Sequence, residues 1–159
     1  MLILPYPPTP FFSPAKQALA HPHSSPQRGK APGKGKWSLP GGGIELGEGT
    51  AEAARRELRE ECALSDSEVR WSERSFTTTD AIYRDEGGAV QFHYLIAQFY
   101  CEARPGASPV AGDDALDVRW WGLDEVARGA ANDSVAGNCE AVLGRAEALR
   151  NSGLLATGV

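Results

Sequence analysis

The chain has no acidic residue before Glu45. Residues 1–44 carry Lys16, Arg28, Lys30, Lys34 and Lys36, a charge of +5, while the rest carries −10 and brings the total to −5. An acidic body argues against general binding to nucleic-acid backbones. The basic, Pro- and Ser-containing N-terminus has the charge bias of an organelle-targeting segment. It has too few arginines and too many prolines for an amphipathic helix, so a flexible leader or loop is the preferred reading. Apolar runs long enough to cross a membrane are also absent. Cys62, Cys101 and Cys139 are odd in number, far apart and outside any CxxC pairing, which signals neither a disulfide framework nor a zinc site. A reducing, cytoplasmic compartment fits that usage, with an organelle as the alternative. The pattern GxxxxGK[ST] is missing too, which excludes an ATP-binding P-loop as the source of any phosphate chemistry.

What remains is a 159-residue chain of ordinary globular composition, enough for one domain with its own core. From Pro5 to Pro32, Pro, Gly, Ser and His punctuate the sequence and block regular helix and interior strand. Order is expected from about Trp37. A helix reads from Ala51 to about Cys62, with Thr50 as its N-cap. "EVRWSERSFTTT" and "DAIYRD" read as strands, "RDEGG" as a turn, and Val90–Ala103 as a long β-rich run. "DVRWWGL" is a further strand, followed by helices over "LDEVARGA" and "NCEAVLGRAEALR". Strands flanked by separate helices, without βαβ alternation, predict an α+β layered fold with a mixed sheet.

The chemistry is concentrated in "WSLPGGGIELGEGTAEAARRELREECAL", Trp37 to Leu64. On a helix Glu57, Glu60 and Glu61 stand at i, i+3 and i+4 and share one face, while Ala51, Ala54, Leu58 and Cys62 form a neighbouring apolar face. Carboxylates so placed repel one another. A hard divalent cation, magnesium first and manganese as an alternative, relieves the crowding through all-oxygen ligation. For "ARRELREEC" alone a solvated helix would suffice, because Glu52 with Arg56 and Arg56 with Glu60 are opposite-charge i,i+4 pairs. The preceding "PGGGIELGE" tips the balance, since a triple glycine lets the backbone approach a metal or phosphate closely.

This segment resembles the Nudix box, GX5EX7REUXEEXGU, where U is a bulky aliphatic residue. Gly42 begins it, Glu48 follows after five residues, and Arg56 to Leu64 completes it, with Ala63 in place of the family's glycine. The resemblance implies a Nudix-type α/β/α sandwich with a mixed β-sheet. It also implies hydrolysis of the diphosphate linkage in a nucleoside diphosphate linked to a further group X. Glu57, Glu60 and Glu61 would then hold the divalent ions, with the carbonyl of Gly41 as a further ligand, and Arg56 and Glu48 would orient the glutamates. Members often draw one more acid from a later loop, for which Asp113, Asp114 and Asp117 are the candidates; a solvated turn explains them equally well. Phe76, Tyr83, Phe92, Tyr94, Trp120 and Trp121 include potential base-stacking residues, but aromatics in strands are more often core, and none is assigned.

The resemblance covers roughly Arg28 to Val126. It divides the chain into an atypical segment 1–27, a hydrolase domain 28–152 and a tail 153–159. Upstream of Arg28 the expected apolar strand is replaced by "HPHSSPQ", so the first strand is either supplied by the distant run Met1–Leu4 or missing. ADP-ribose-like substrates lead over nucleoside triphosphates; the rival is a catalytically silent Nudix-type module that senses a nucleotide or binds a protein. The implied partners are a small nucleotide and, as in many members, a second copy in a homodimer, with no polymeric nucleic acid and no membrane.

Overall fold

The structure is a computed structural model that describes residues 2–4, 17–22, 36–112, 115–135 and 138–155. Its elements in chain order are β1 Leu2–Leu4, β2 Gln17–Pro22, α1 Thr50–Cys62, β3 Val69–Trp71, β4 Thr77–Arg84, β5 Val90–Ala103, β6 Ala115–Trp121, α2 Leu123–Ala131 and α3 Cys139–Asn151. The 14-residue β5 is the spine of a four-stranded sheet. It pairs parallel with β1 and antiparallel with β3 and β4, so the sheet is mixed as expected. A second, two-stranded sheet joins β2 to β6.

Alternation along β5 builds two cores on opposite faces. Phe99 and Cys101 point to one face and pack with Ala54, Leu58 and Cys62 of α1, together with Leu64, Val69 and Trp71. Tyr100, between them, points to the other face, where Val126 of α2 and Cys139, Leu143 and Ala146 of α3 close over Leu39 and Trp121. Helices on both faces of the strands make the α/β/α sandwich. No helix among the described residues is long and apolar enough to cross a membrane.

Three readings are refined by the structure. The first strand is present: Leu2–Leu4 lies in parallel register with Gln98–Tyr100, so the distant N-terminal run supplies it. A strand also forms inside the proline-punctuated stretch, because Gln17–His21 runs free of proline long enough to pair. Its closing Pro22 falls at the strand end, beyond a register shift, in a two-stranded sheet where a missing N–H is tolerated. Finally, "EVRWSERSFTTT" is two strands rather than one. The chain breaks between Trp71 and Thr77, yet returns to the same partner through Ser72 N–H to Tyr100 O and Phe76 N–H to Gln98 O.

Candidate active site

The glycine run is aimed from upstream. Trp37 donates its N–H to Ser134 O at 2.8 Å and lays its ring 5.3 Å from that of Trp121, and Leu39 is buried in the α2–α3 core. The chain therefore enters Gly41–Gly43 from a fixed point. It then turns through Leu46–Gly47, where Gly47 has φ 88°, and the Glu48 N–H closes on Glu45 O at 3.1 Å. Gly49, not Thr50, is the N-cap of α1. Its amide donates to the Glu52 carboxylate at 2.7 Å, so Glu52 turns back to the helix start instead of pairing with Arg56.

Arg56 ties the loop to the helix. Its Nε donates to Glu48 Oε1 at 2.9 Å and its Nη2 to Glu48 Oε2 at 3.0 Å, a two-pronged grip. Nη2 also donates to the carbonyl of Gly43 at 2.9 Å. Nη1 reaches Glu57 Oε1 at 2.9 Å and Glu60 Oε2 at 3.0 Å. One planar cation thus fixes the turn, the glycine run and two of the three carboxylates, which a single-point lysine charge could not do. The bonds from Glu48, ahead of those from Glu57 and Glu60, push the Arg56 pKa further up, and Arg56 in return holds the Glu48 carboxyl below its ordinary range.

Glu57 is buried, with 7% of its surface exposed, although it is ionisable. Gly42 is what admits it: a β-carbon there would stand 2.3 Å from Glu57 Oε1. Glu61 is held from the other side by the Gly41 N–H, which donates to its Oε2 at 2.9 Å. Glu60 is the more open carboxylate, its side chain 42% exposed. Among the described residues, no three acidic, histidine or cysteine side chains converge into a ready metal cage. The donor set nevertheless suits a hard divalent ion: carboxylate oxygens from one helical face beside glycine backbone that carries no side chain. Arg56 supplies to Glu57 and Glu60 part of the neutralisation that a cation would provide.

The far end of α1 is held by a second loop. Val110 N–H donates to Cys62 O at 3.0 Å and Gly112 N–H to Glu61 O at 3.2 Å, satisfying carbonyls that the helix end leaves open. A β-carbon on Gly112 would lie 2.2 Å from the Glu60 carbonyl oxygen, so only glycine permits this approach. Ala63, the C-cap, sits in the left-handed region at φ 52°, ψ 24°, with its N–H on Arg59 O. That is the conformation in which the departure from glycine at this position matters.

Sequence reasoning singled out Gly41, Glu48, Arg56, Glu57, Glu60 and Glu61, and the structure places them side by side. It missed the Gly43 carbonyl as an acceptor, for which the glycine run was the available signal. Asp113 and Asp114 lie outside the described residues. Asp117 is exposed on β6, where its carboxylate accepts the Val118 N–H at 2.8 Å, a local contact on its own strand. Of the aromatics, Trp121 is core. Trp120 and Phe76 are partly buried against the two cores. Tyr83 and Tyr94 instead line a cleft of about 410 Å³ together with Gly42, Gly43, Ile44 and Thr50.

The family model of the NUDIX domain matches residues 16–137 of this chain, which include the glycine run, the Arg56 hub and all three carboxylates. The chain belongs to the Nudix family. Solved structures of the same fold include a C. elegans Ap4A hydrolase in a binary complex, at 15% identity and a TM-score of 0.66, covering 94% of this chain and 96% of that one. A mutT/nudix family protein from Listeria innocua shares 24% identity at a TM-score of 0.65, covering 96% and 92%. The NUDIX domain of Shewanella oneidensis NrtR, complexed with ADP ribose, shares 20% at a TM-score of 0.56, covering 80% and 73%. No curated protein matches the chain closely enough to count as a relative. Membership in Nudix, together with the box's glutamates Glu57, Glu60 and Glu61, supports a pyrophosphohydrolase of a family that generally uses divalent metal ions.

Proposed function

We propose that this Nudix pyrophosphohydrolase cleaves the diphosphate linkage of a nucleoside diphosphate joined to a further group, with magnesium as the working ion and manganese as its substitute. The observation that carries the reading is the seating of Glu57 against Gly42: a buried carboxylate at the wall of a glycine run, neutralised by one arginine. Glu57, Glu60 and Glu61 would hold the ion, with the Gly41 carbonyl as a further ligand. When bound, such an ion neutralises the diphosphate and lowers the pKa of water at the metal. Arg56, locked by Glu48, keeps Glu57 and Glu60 in place, and the bare backbone of Gly42 and Gly43 lets phosphate oxygens come close. Displacement at phosphorus is catalysed mainly by positioning and charge stabilisation, so no covalent intermediate is needed.

The substrate class draws support from two proteins of the same fold, one an Ap4A hydrolase and the other complexed with ADP ribose. Both compounds join a nucleoside through phosphoanhydride to a second group. The test is product release from ADP-ribose, diadenosine polyphosphates, sugar nucleotides and nucleoside triphosphates, with magnesium and with chelator, beside Glu60→Gln. Magnesium-dependent cleavage lost in the variant is the expected result. No cleavage by folded protein would favour a silent nucleotide-sensing or protein-binding module, and full activity in Glu60→Gln would overturn the metal assignment. A homodimer belongs to the same proposal, and light scattering of the purified protein decides it.

A further inference from the structure

The distal half of the β4–β5 hairpin has an unusual surface. Ala81 pairs with Tyr94, Tyr83 with Phe92 and Thr79 with Ile96, so these side chains share one face. On that face Phe92 and Tyr94 lie nearly parallel, 14° apart with centroids at 6.0 Å, and Tyr83 meets Tyr94 edge-on at 6.0 Å. These rings are not core: Phe92 is 50% and Tyr94 53% exposed. Tyr83 and Tyr94 line the cleft together with Gly42 and Gly43. Gly42 is shared, because it borders the cleft and also abuts the Glu57 carboxylate. None of the described residues lining the cleft is charged.

We propose that Tyr94, braced by Tyr83 and Phe92, is a stacking shelf for the planar base of a nucleotide whose phosphates cross Gly42–Gly43 toward the carboxylates. The proposal deepens the functional reading above and rests on it for the direction of the phosphates. Tyr94 lines the cleft with half its surface in water, beside the half-exposed Phe92, and a base laid on Tyr94 removes that exposure. A wall without charged groups recognises the π-face of a base rather than its hydrogen-bonding edge, so it selects for the presence of a base and tolerates its identity. Phosphate, in contrast, is read on the glycine side. Tyr94 is therefore a specificity-determining residue for the base-bearing half of the substrate.

The experiment compares calorimetric binding of AMP with that of ribose 5-phosphate, which lacks the base, in the full chain. Wild type is expected to bind AMP about 5- to 100-fold more tightly. Tyr94→Ala is expected to erase that difference while leaving ribose 5-phosphate binding unchanged, and Tyr94→Phe to keep it. GMP is expected within about tenfold of AMP. Equal binding of AMP and ribose 5-phosphate by wild type, no binding of either, or an undiminished difference in folded Tyr94→Ala would overturn the shelf. Because the readout is binding, it separates the two proposals: a preserved base preference without turnover sinks the hydrolase reading alone. Where turnover is found, Tyr94→Ala should raise KM for nucleotides with kcat little changed, and an unchanged KM would count against the shelf.

Discussion

Arg56 and Glu48 are joined by two bonds, Nε to Oε1 at 2.9 Å and Nη2 to Oε2 at 3.0 Å, across eight positions of sequence. The pair closes the glutamate-rich turn onto α1 and leaves Nη1 free to hold Glu57 and Glu60 together. Arg56→Lys keeps the charge and loses the fork. Its expected effect is a loss of about 100-fold in magnesium-dependent turnover, the scale set by a small misplacement of catalytic groups. Steady-state kinetics on the purified variant checks it, and near-normal kcat would mean that charge alone is required.

Gly42 and Gly43 are adjacent in sequence and opposite in consequence. A β-carbon at Gly42 collides with the Glu57 carboxylate at 2.3 Å, whereas at Gly43 it meets nothing within 4 Å. Gly42→Ala should therefore displace Glu57 and depress turnover, again by about 100-fold, while Gly43→Ala changes it far less. Both variants should keep the wild-type circular dichroism spectrum. Equal loss in the two would show that the glycines serve chain flexibility rather than room for Glu57.

At the other end of α1, Ala63 holds φ 52° with a β-carbon that this region disfavours. Removing that carbon relieves about 1–2 kcal/mol, from which glycine's greater freedom in the unfolded chain takes back up to about 1 kcal/mol. Ala63→Gly should be net stabilising by up to about 1 kcal/mol, a rise of roughly 2–4 °C in Tm for a chain of this size. Differential scanning calorimetry measures it, and a fall in Tm would contradict the cap geometry.

Acid stability follows from carboxyls held below their ordinary values. Arg56 lowers Glu48, the Ser65 amide lowers Glu68, Arg128 lowers Asp124 and the Gly122 amide lowers Glu125. A carboxyl with a lowered folded pKa binds fewer protons folded than unfolded. Its contribution is complete above the unfolded value of about 4–4.5 and disappears as pH falls through the lowered folded value. Urea midpoints should be flat above about pH 5 and drop below about pH 4, with a shallower drop in Glu48→Gln. An identical acid slope in that variant would remove Glu48 from the account.

Cys62, Cys101 and Cys139 are buried, and burial raises each thiol above its ordinary pKa. The thiolate is the reactive form, so the native protein should resist a disulfide reagent at pH 8 and release three equivalents of thiol only when denatured. Rapid reaction of a native thiol would locate an opening of one of the two cores.

By itself the sequence determined the pieces that depend on near neighbours along the chain. The i, i+3, i+4 spacing of Glu57, Glu60 and Glu61 put them on one helical face, and the β-branched and aromatic run gave β5 the bounds Val90–Ala103. Helices α2 and α3 were legible for the same reason. What only the tertiary structure decided depends on residues distant in sequence meeting in space. The five-bond hub of Arg56 needed the turn folded back, and the burial of Glu57 needed Gly42 beside it. The break between β3 and β4 needed a shared partner in β5, and the pairing of Leu2–Leu4 needed the same strand's other edge. Composition left Tyr83 and Tyr94 unassigned between core and a stacking surface, because a strand pattern records which residues alternate but not where the layers covering that strand end. Beyond the reach of the helices the hairpin runs on with its rings half exposed, and that is where the cleft opens.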